Sequence, residues 1–178
     1  VPKNKIKVFP DEVLRRKAQD VKRIDNEILD LIEDMVEAMR GSPIPGVGLA
    51  APQVGVSKRI VIVDAQDGQG LQVVINPKIL KLEGEKELGW EGCLSVPGIY
   101  GEVSRYPFIL LKGLNKRGKG IKIEATGFRA RVFQHEIDHL DGILFIDKAI
   151  RFLEEKDPLE ESLQEKIIAG QIKKDDII

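Results

Sequence analysis

Both histidines of the chain fall in one short segment, Gln134-His135-Glu136-Ile137-Asp138-His139-Leu140, which contains the pattern H-E-x-x-H. On an α-helix His135 and His139 project from one face, so two imidazoles can grip a single metal ion. Glu136 lies about 60° round the helix from His139, at ~100° per residue, close enough to reach a water on the metal without displacing a ligand. A carboxylate so placed can take the proton of a water that the metal has acidified toward a pKa near ~7. The alternative is a pair of hydrogen-bonded core histidines, because Val132 and Phe128 continue the same face backward. The only two histidines of the chain at this spacing, with a glutamate between them, favour the metal.

A third ligand is needed. Zinc peptidases with this motif usually take a downstream His or Glu. No histidine follows His139, and Glu154, Glu155, Glu160, Glu161 and Glu165 fall in stretches that read as a solvated helical surface. The single cysteine, Cys93, offers a thiolate instead, in Trp90-Glu91-Gly92-Cys93-Leu94-Ser95, which reads as a glycine-containing turn after a strand. One thiolate and two imidazoles leave a fourth position for water, the arrangement of a catalytic rather than a closed structural site. Alone, Cys93 would read as a small buried hydrophobe; beside the two histidines the ligand role prevails. Ligand softness by itself points to zinc.

The elements that must hold these residues belong to one catalytic domain spanning 1–178, since 178 residues with 42% hydrophobic and 32% charged composition suffice for a core without disulfides. A net charge of -1 gives no electrostatic reason for a large polyanionic partner, and no direct nucleic-acid motif is present. No apolar run approaches the ~20 residues of a membrane span. The start, Val1 to Lys7, alternates basic and apolar residues rather than forming a signal segment. A lone cysteine points to the reducing cytoplasm. Without an exposed apolar stripe or heptad run, a monomer is expected.

Periodicity predicts an amphipathic helix over Asp25 to Arg40, with Ile28, Leu31, Ile32, Met35 and Met39 on one face and Asp25 or Asn26 as cap. It stops at the Pro- and Gly-rich 41–46 stretch. Short β-branched runs predict strands at Arg59–Asp64, Leu71–Ile75, Ile79–Leu82, Phe108–Leu111 and Ile121–Glu124, with a turn at Asn115–Gly118. A helix from about Thr126 to Asp141 carries the H-E-x-x-H pattern, with Gly142 as its stop. A further helix is expected from Asp157, its Leu159, Leu163 and Ile167 stepping by four, as a tail that docks on the body or on a partner. The fold class is therefore α+β, with mostly antiparallel strands around a central metal-binding helix, an N-terminal amphipathic helix and a C-terminal one.

Three segments together resemble the peptide deformylases of the bacterial and organellar type. Gly46-Val47-Gly48-Leu49-Ala50-Ala51-Pro52-Gln53 is similar to that family's G-x-G-L-A-A-x-Q segment, Glu91-Gly92-Cys93-Leu94-Ser95 to E-G-C-L-S, and Gln134 to His139 to Q-H-E-x-D-H. The resemblance implies removal of the N-formyl group from the initiator methionine of nascent polypeptides, with release of formate. It also implies Cys93, His135 and His139 as ligands of one divalent metal, with ferrous iron ahead of zinc, nickel or cobalt. Glu136 would be the acid/base, and Gln53 with the Leu94 backbone N–H would hold the oxyanion. On their own terms, Gly46 and Gly48 let backbone approach a substrate, and the Gln53 amide can donate to a developing negative charge. Val47, Gly48 and Gly92 are expected to pair with an extended peptide, and Phe128 and Val132 to line the methionine pocket unless they are plain core. Some members associate transiently with the ribosome through a C-terminal helix. Arg131 stands where an apolar residue is common in that family.

Two rival readings lead to different tests. A general metallopeptidase would cleave internal peptide bonds and need no small formyl pocket. A non-catalytic metal-stabilised module would unfold without metal and leave Glu136 dispensable.

Overall fold

Asp25 starts the first helix, α1 (Asn26–Arg40), by accepting a hydrogen bond from the Ile28 N–H at 3.2 Å, which satisfies one of the donors a helix start leaves free. In the computed structural model, which describes residues 5–44 and 46–153, the expected stripe is realised. Leu31, Ile32, Met35 and Met39 are buried, and Ile28 lies half-buried at the margin. The helix expected from Asp157 lies outside the described residues.

Among the described residues the strands are β1 (Gly48–Ala50), β2 (Ile60–Val63), β3 (Gln72–Glu83), β4 (Glu87–Cys93), β5 (Val96–Arg105), β6 (Phe108–Leu114), β7 (Gly120–Thr126) and β8 (Arg151–Phe152). They form a five-stranded sheet in the order β1-β2-β3-β6-β7 and a three-stranded sheet β4-β5-β8, with every paired neighbour antiparallel. The α+β expectation holds. The purely apolar β2 is explained by its two faces. Ile60 and Ile62 pack with α1, whereas Val61 and Val63 pack with Ala130, Val132 and Phe133 of the second long helix, α2 (Gly127–Leu140). Alternate side chains of a strand point to opposite faces, so a strand covered on both sides has no polar position to show.

Two predicted boundaries change. The runs predicted at Leu71–Ile75 and Ile79–Leu82 merge, from Gln72 onward, into one strand, β3, whose register against β6 shifts between Ile75 and Lys78 and again between Ile79 and Lys81. Asn76 adopts φ 52°, and its side-chain amide bonds both the N–H and the C=O of Val21. Asparagine tolerates this left-handed conformation, and Pro77 after it supplies no N–H to the ladder. The segment around Cys93 is not a turn: Glu91, Gly92 and Cys93 are in β4, and the turn is the next pair, Leu94-Ser95, closing a hairpin in which Cys93 faces Val96. Glycines 89, 92, 98 and 101 and Pro97 disguise both strands of this hairpin. Two of those glycines are steric necessities, since a Cβ at Gly92 would lie 2.6 Å from the Tyr100 ring and one at Gly101 2.7 Å from Ala149.

The helix α2 begins one residue after Thr126, which occupies the cap position without a side-chain hydrogen bond, and the chain turns away at Gly142 with φ 73°. Near its start, buried Arg129 donates to both carboxylate oxygens of Asp67 at 2.7 Å and to Gln72 and the Gly70 carbonyl. This anchors the helix to the β2–β3 loop. The Arg129 guanidinium holds the Asp67 carboxyl down to about 2, below its ordinary 3.8. A depressed carboxyl contributes stability at pH above its unfolded value, and that contribution is lost as pH falls through the folded one. Asp67→Asn is therefore expected to lower the melting temperature at neutral pH by about 3 °C, from ~1 kcal/mol for a pair whose carboxylate is exposed and screened by solvent, in a domain of this size. Thermal melts between about pH 6 and pH 2 check it, because the gap between the two proteins should close at the acid end.

Candidate metal centre and active site

The fold brings together the three residues that the sequence offers as ligands. Cys93 ends β4, while His135 and His139 occupy successive turns of α2, and one ligand atom from each lies within 4.8 Å of the others. Cys93 Sγ is 3.3 Å from His139 Nε2, and the two imidazole rings stand 5.1 Å apart at 69°. A thiolate and two imidazoles converging on one point are a donor set suited to a divalent transition metal.

The electrostatics support that use. The His135 Nδ1–H donates to Glu91 Oε2 at 2.8 Å, which leaves Nε2 as the lone-pair nitrogen. Burial favours a neutral His135, but hydrogen bonds to Cys93 and Glu91 outweigh it and raise the ring's proton affinity. His139 is driven the other way, well below its ordinary value, by burial and by the nearby His135, so its ring is neutral and free to donate a lone pair.

Glu91 is the residue that sequence reasoning quoted only as part of a segment. It is buried in β4 and accepts from Arg105 Nε at 2.8 Å and Nη2 at 3.0 Å, from Arg131 Nη1 at 3.0 Å and from His135. Burial opposes its ionisation, yet the bonds from His135 and Arg105 hold its carboxyl far below the usual range. Arg105 reaches on to Asp138 at 2.6 Å, and Lys148 donates to the same carboxylate. A chain of alternating charges thus braces His135 from behind, as ligand-orienting partners do. Its signal in the sequence was the polar spacing Glu91-x-Cys93 and Asp138 beside His139, but the partner Arg105 lies in a strand that the sequence did not reveal.

Glu136 is buried, and desolvation pushes its carboxyl up to about 7. Its Oε2 has no hydrogen-bond partner among the described residues. The space for this side chain comes from Gly48. A Cβ there would lie 2.6 Å from Glu136 Oε1 and 2.7 Å from Val132 Cγ1, so this glycine makes room for the acid as well as exposing backbone.

Gln53 sits in a 3₁₀ turn (Ala51–Val54) just after β1, with its Oε1 accepting from the Ala50 N–H at 2.8 Å. That bond fixes the amide so that Nε2 faces Ser95 Oγ at 3.2 Å and Cys93 Sγ at 3.4 Å. A cavity of about 320 Å³ opens beside these groups. Val47, Gly48, Gly92, Leu94, Phe128 and Val132 all line it, as do Gln53, Cys93, His135 and Glu136. The strands on its two sides, β1 and β4, are each the edge of their sheet, so each presents one row of backbone groups to a guest chain. The Val47 carbonyl is already engaged, accepting from the Asp64 N–H at 2.8 Å. Val132 belongs to both environments, packing in the core and lining the cavity.

Known proteins share both sequence and shape with this chain. Residues 3–155 match the model of the polypeptide deformylase family. The peptide deformylase of Halothermothrix orenii is 56% identical over 155 residues, 87% of this chain and 99% of that protein. The crystal structure of the Thermotoga maritima peptide deformylase superposes with a TM-score of 0.78 at 46% identity, covering 83% of this chain and 98% of that one. The Synechococcus elongatus enzyme, solved in complex with actinonin, gives a TM-score of 0.79 at 34% identity, covering 100% of this chain and 91% of the other. With the full set of motifs converging on one cavity and this similarity running through the described core, the chain belongs to the peptide deformylase family.

Proposed function

We propose that Cys93, His135 and His139 hold the metal of this deformylase and that Glu136 moves the proton in its reaction. The enzyme is a metal-dependent hydrolase that removes the N-formyl group from the N-terminal formylmethionine of newly synthesised polypeptides and releases formate. The observation that carries the residue assignment is the convergence of the three donors within 4.8 Å, next to a buried carboxylate with an unpartnered oxygen. When bound, a divalent ion supplies Lewis acidity, lowering the pKa of water and polarising a carbonyl oxygen.

The remaining steps belong to the protein. Glu136 takes a proton from the attacking water and hands it to the leaving amine, and its ordinary acidity is weakened by burial toward the pH at which it must do both. Gln53 Nε2 and the Leu94 backbone N–H donate to the oxygen of the formyl group as negative charge develops on it. Gly48 and Gly92 on the two edge strands pair with the extended peptide, aided by the backbone at Val47. Phe128 and Val132 receive the methionine side chain. The same reading takes ferrous iron as the working metal, with zinc, nickel or cobalt as substitutes. The protein then acts as a single catalytic domain, monomeric and cytoplasmic, with transient ribosome association.

The test is formate release from formyl-Met-Ala-Ser by protein purified without oxygen and loaded with iron. Rapid release that a chelator abolishes and added metal restores supports the assignment. A folded, metal-loaded protein that releases no formate but cleaves internal peptide bonds would replace it with a metallopeptidase.

A further inference from the structure

One side chain spans the cleft and takes no part in the steps above. The backbone of α2 packs chiefly on β1, β2 and β7, so its side toward β4 and β5 is bridged by side chains. Two bridges, His135 to Glu91 and Asp138 to Arg105, lie behind the ligands. The third is Arg131, one turn before His135, and it lines the cavity itself.

The Arg131 guanidinium is seated on backbone from both strands of the hairpin. Its Nη1 donates to the Val103 carbonyl at 2.8 Å, to Glu91 Oε1 at 3.0 Å and to the Gly89 carbonyl at 3.4 Å, while Nη2 donates to the Glu87 carbonyl at 2.8 Å. The side chain is only 13% exposed. The seat requires Gly89, because a Cβ at that position would lie 2.8 Å from the guanidinium carbon. A guanidinium presents its donors in a rigid planar fork, so carbonyls bound to it are held at set positions relative to the helix that carries it.

We propose that Arg131 is a positioning residue that sets the width of the substrate cleft between α2 and β4, and with it which side chains the pocket admits. This rests on the deformylase reading. Phe128 and Val132 form the helix wall of the pocket, and Trp90, Gly92 and Tyr100 form the strand wall. The peptide pairs along the strand wall while the proton-moving Glu136 stands on the helix wall. Cleft width therefore enters binding and discrimination. Arg131 touches the bracing of His135 only at Glu91 Oε1, an oxygen that Arg105 Nε also holds. Glu91 Oε2, which faces His135, is held by Arg105 Nη2, so proton transfer should depend on Arg131 less than binding does.

Arg131→Met keeps an unbranched stem in the pocket and deletes the fork, whereas Arg131→Lys keeps the charge as a single point. Each is compared with wild type after metal loading, with metal content and melting temperature measured alongside. The substrates are formyl-Met-Ala-Ser and formyl-Phe-Ala-Ser. For Arg131→Met we expect KM for the methionyl peptide to rise about tenfold, the scale of a one-methylene misfit in an apolar pocket, with kcat within about twofold. The preference for methionine over phenylalanine should narrow by a similar factor. Arg131→Lys should fail to restore it, because an ammonium cannot hold the carbonyls of two strands at fixed spacing. Gly89→Ala, which displaces the guanidinium while leaving Arg131 in place, should reproduce the KM rise and carries the test if Arg131→Met does not fold. A lowered melting temperature with KM and preference unchanged would overturn the proposal. Failure of the wild-type protein to release formate would instead overturn the deformylase reading.

Discussion

Glu136→Gln is expected to lower the turnover of a formyl-methionyl peptide by about a thousandfold, within the ~10²–10⁴ that a positioned acid/base contributes. The substitution is nearly isosteric, which matters here because the Glu136 side chain packs against the space left by Gly48. An amide of the same shape fits that space. It cannot accept a proton from water or return one to the leaving amine. Burial, which pushes the Glu136 carboxyl up to about 7, would prepare it to do both near neutral pH. The same burial makes a neutral amide no harder to accommodate than the acid, so the fold and the metal content should persist. Formate release, metal analysis and a thermal melt on one preparation test this, and full turnover in the variant would remove Glu136 from the mechanism.

Cys93→Ala is expected to lose both metal and activity while keeping the fold. Cys93 ends a strand, is only partly buried and packs at the margin of the small cluster formed by Val13, Leu14, Val96, Val103, Leu144 and Phe145. Removing one sulfur there costs little packing. It does remove the one charged donor of the set, leaving two neutral imidazoles. Loss of an outer hydrogen-bond partner alone weakens metal affinity by about 10–100-fold, so loss of a ligand should exceed that range. Titration with cobalt(II) reads the result directly. Wild type should show the intense near-ultraviolet band of a thiolate ligand, and the variant should lack it and bind far more weakly. Unchanged affinity and an unchanged spectrum would show that Cys93 is not a ligand.

The histidine pair was legible in the sequence because its geometry is local. Four residues of helix bring His135 and His139 to one face whatever surrounds them, and the stripe of α1 and the apolar run of β2 follow from equally short-range periodicity. The hairpin that carries Cys93 was not legible, for its glycines and Pro97 are chosen by what packs against them, Tyr100 and Ala149 among others. Hence Cys93 was assigned by its chemistry, with its secondary structure misread as a turn.

What only the tertiary structure decided is how these pieces are held. Cys93 and His139 are 46 residues apart in the chain, and Glu91 and His135 are 44 apart. Their meeting depends on docking the β4–β5 hairpin against α2. That docking uses Arg105, Arg131 and Asp138, ordinary surface residue types whose burial no local window announces. The sequence by itself determined the candidate reacting groups, because residue type and helical spacing are local properties. The folded chain decided their orientation, proton affinities and the shape of the cleft, because those depend on desolvation and on contacts between distant segments.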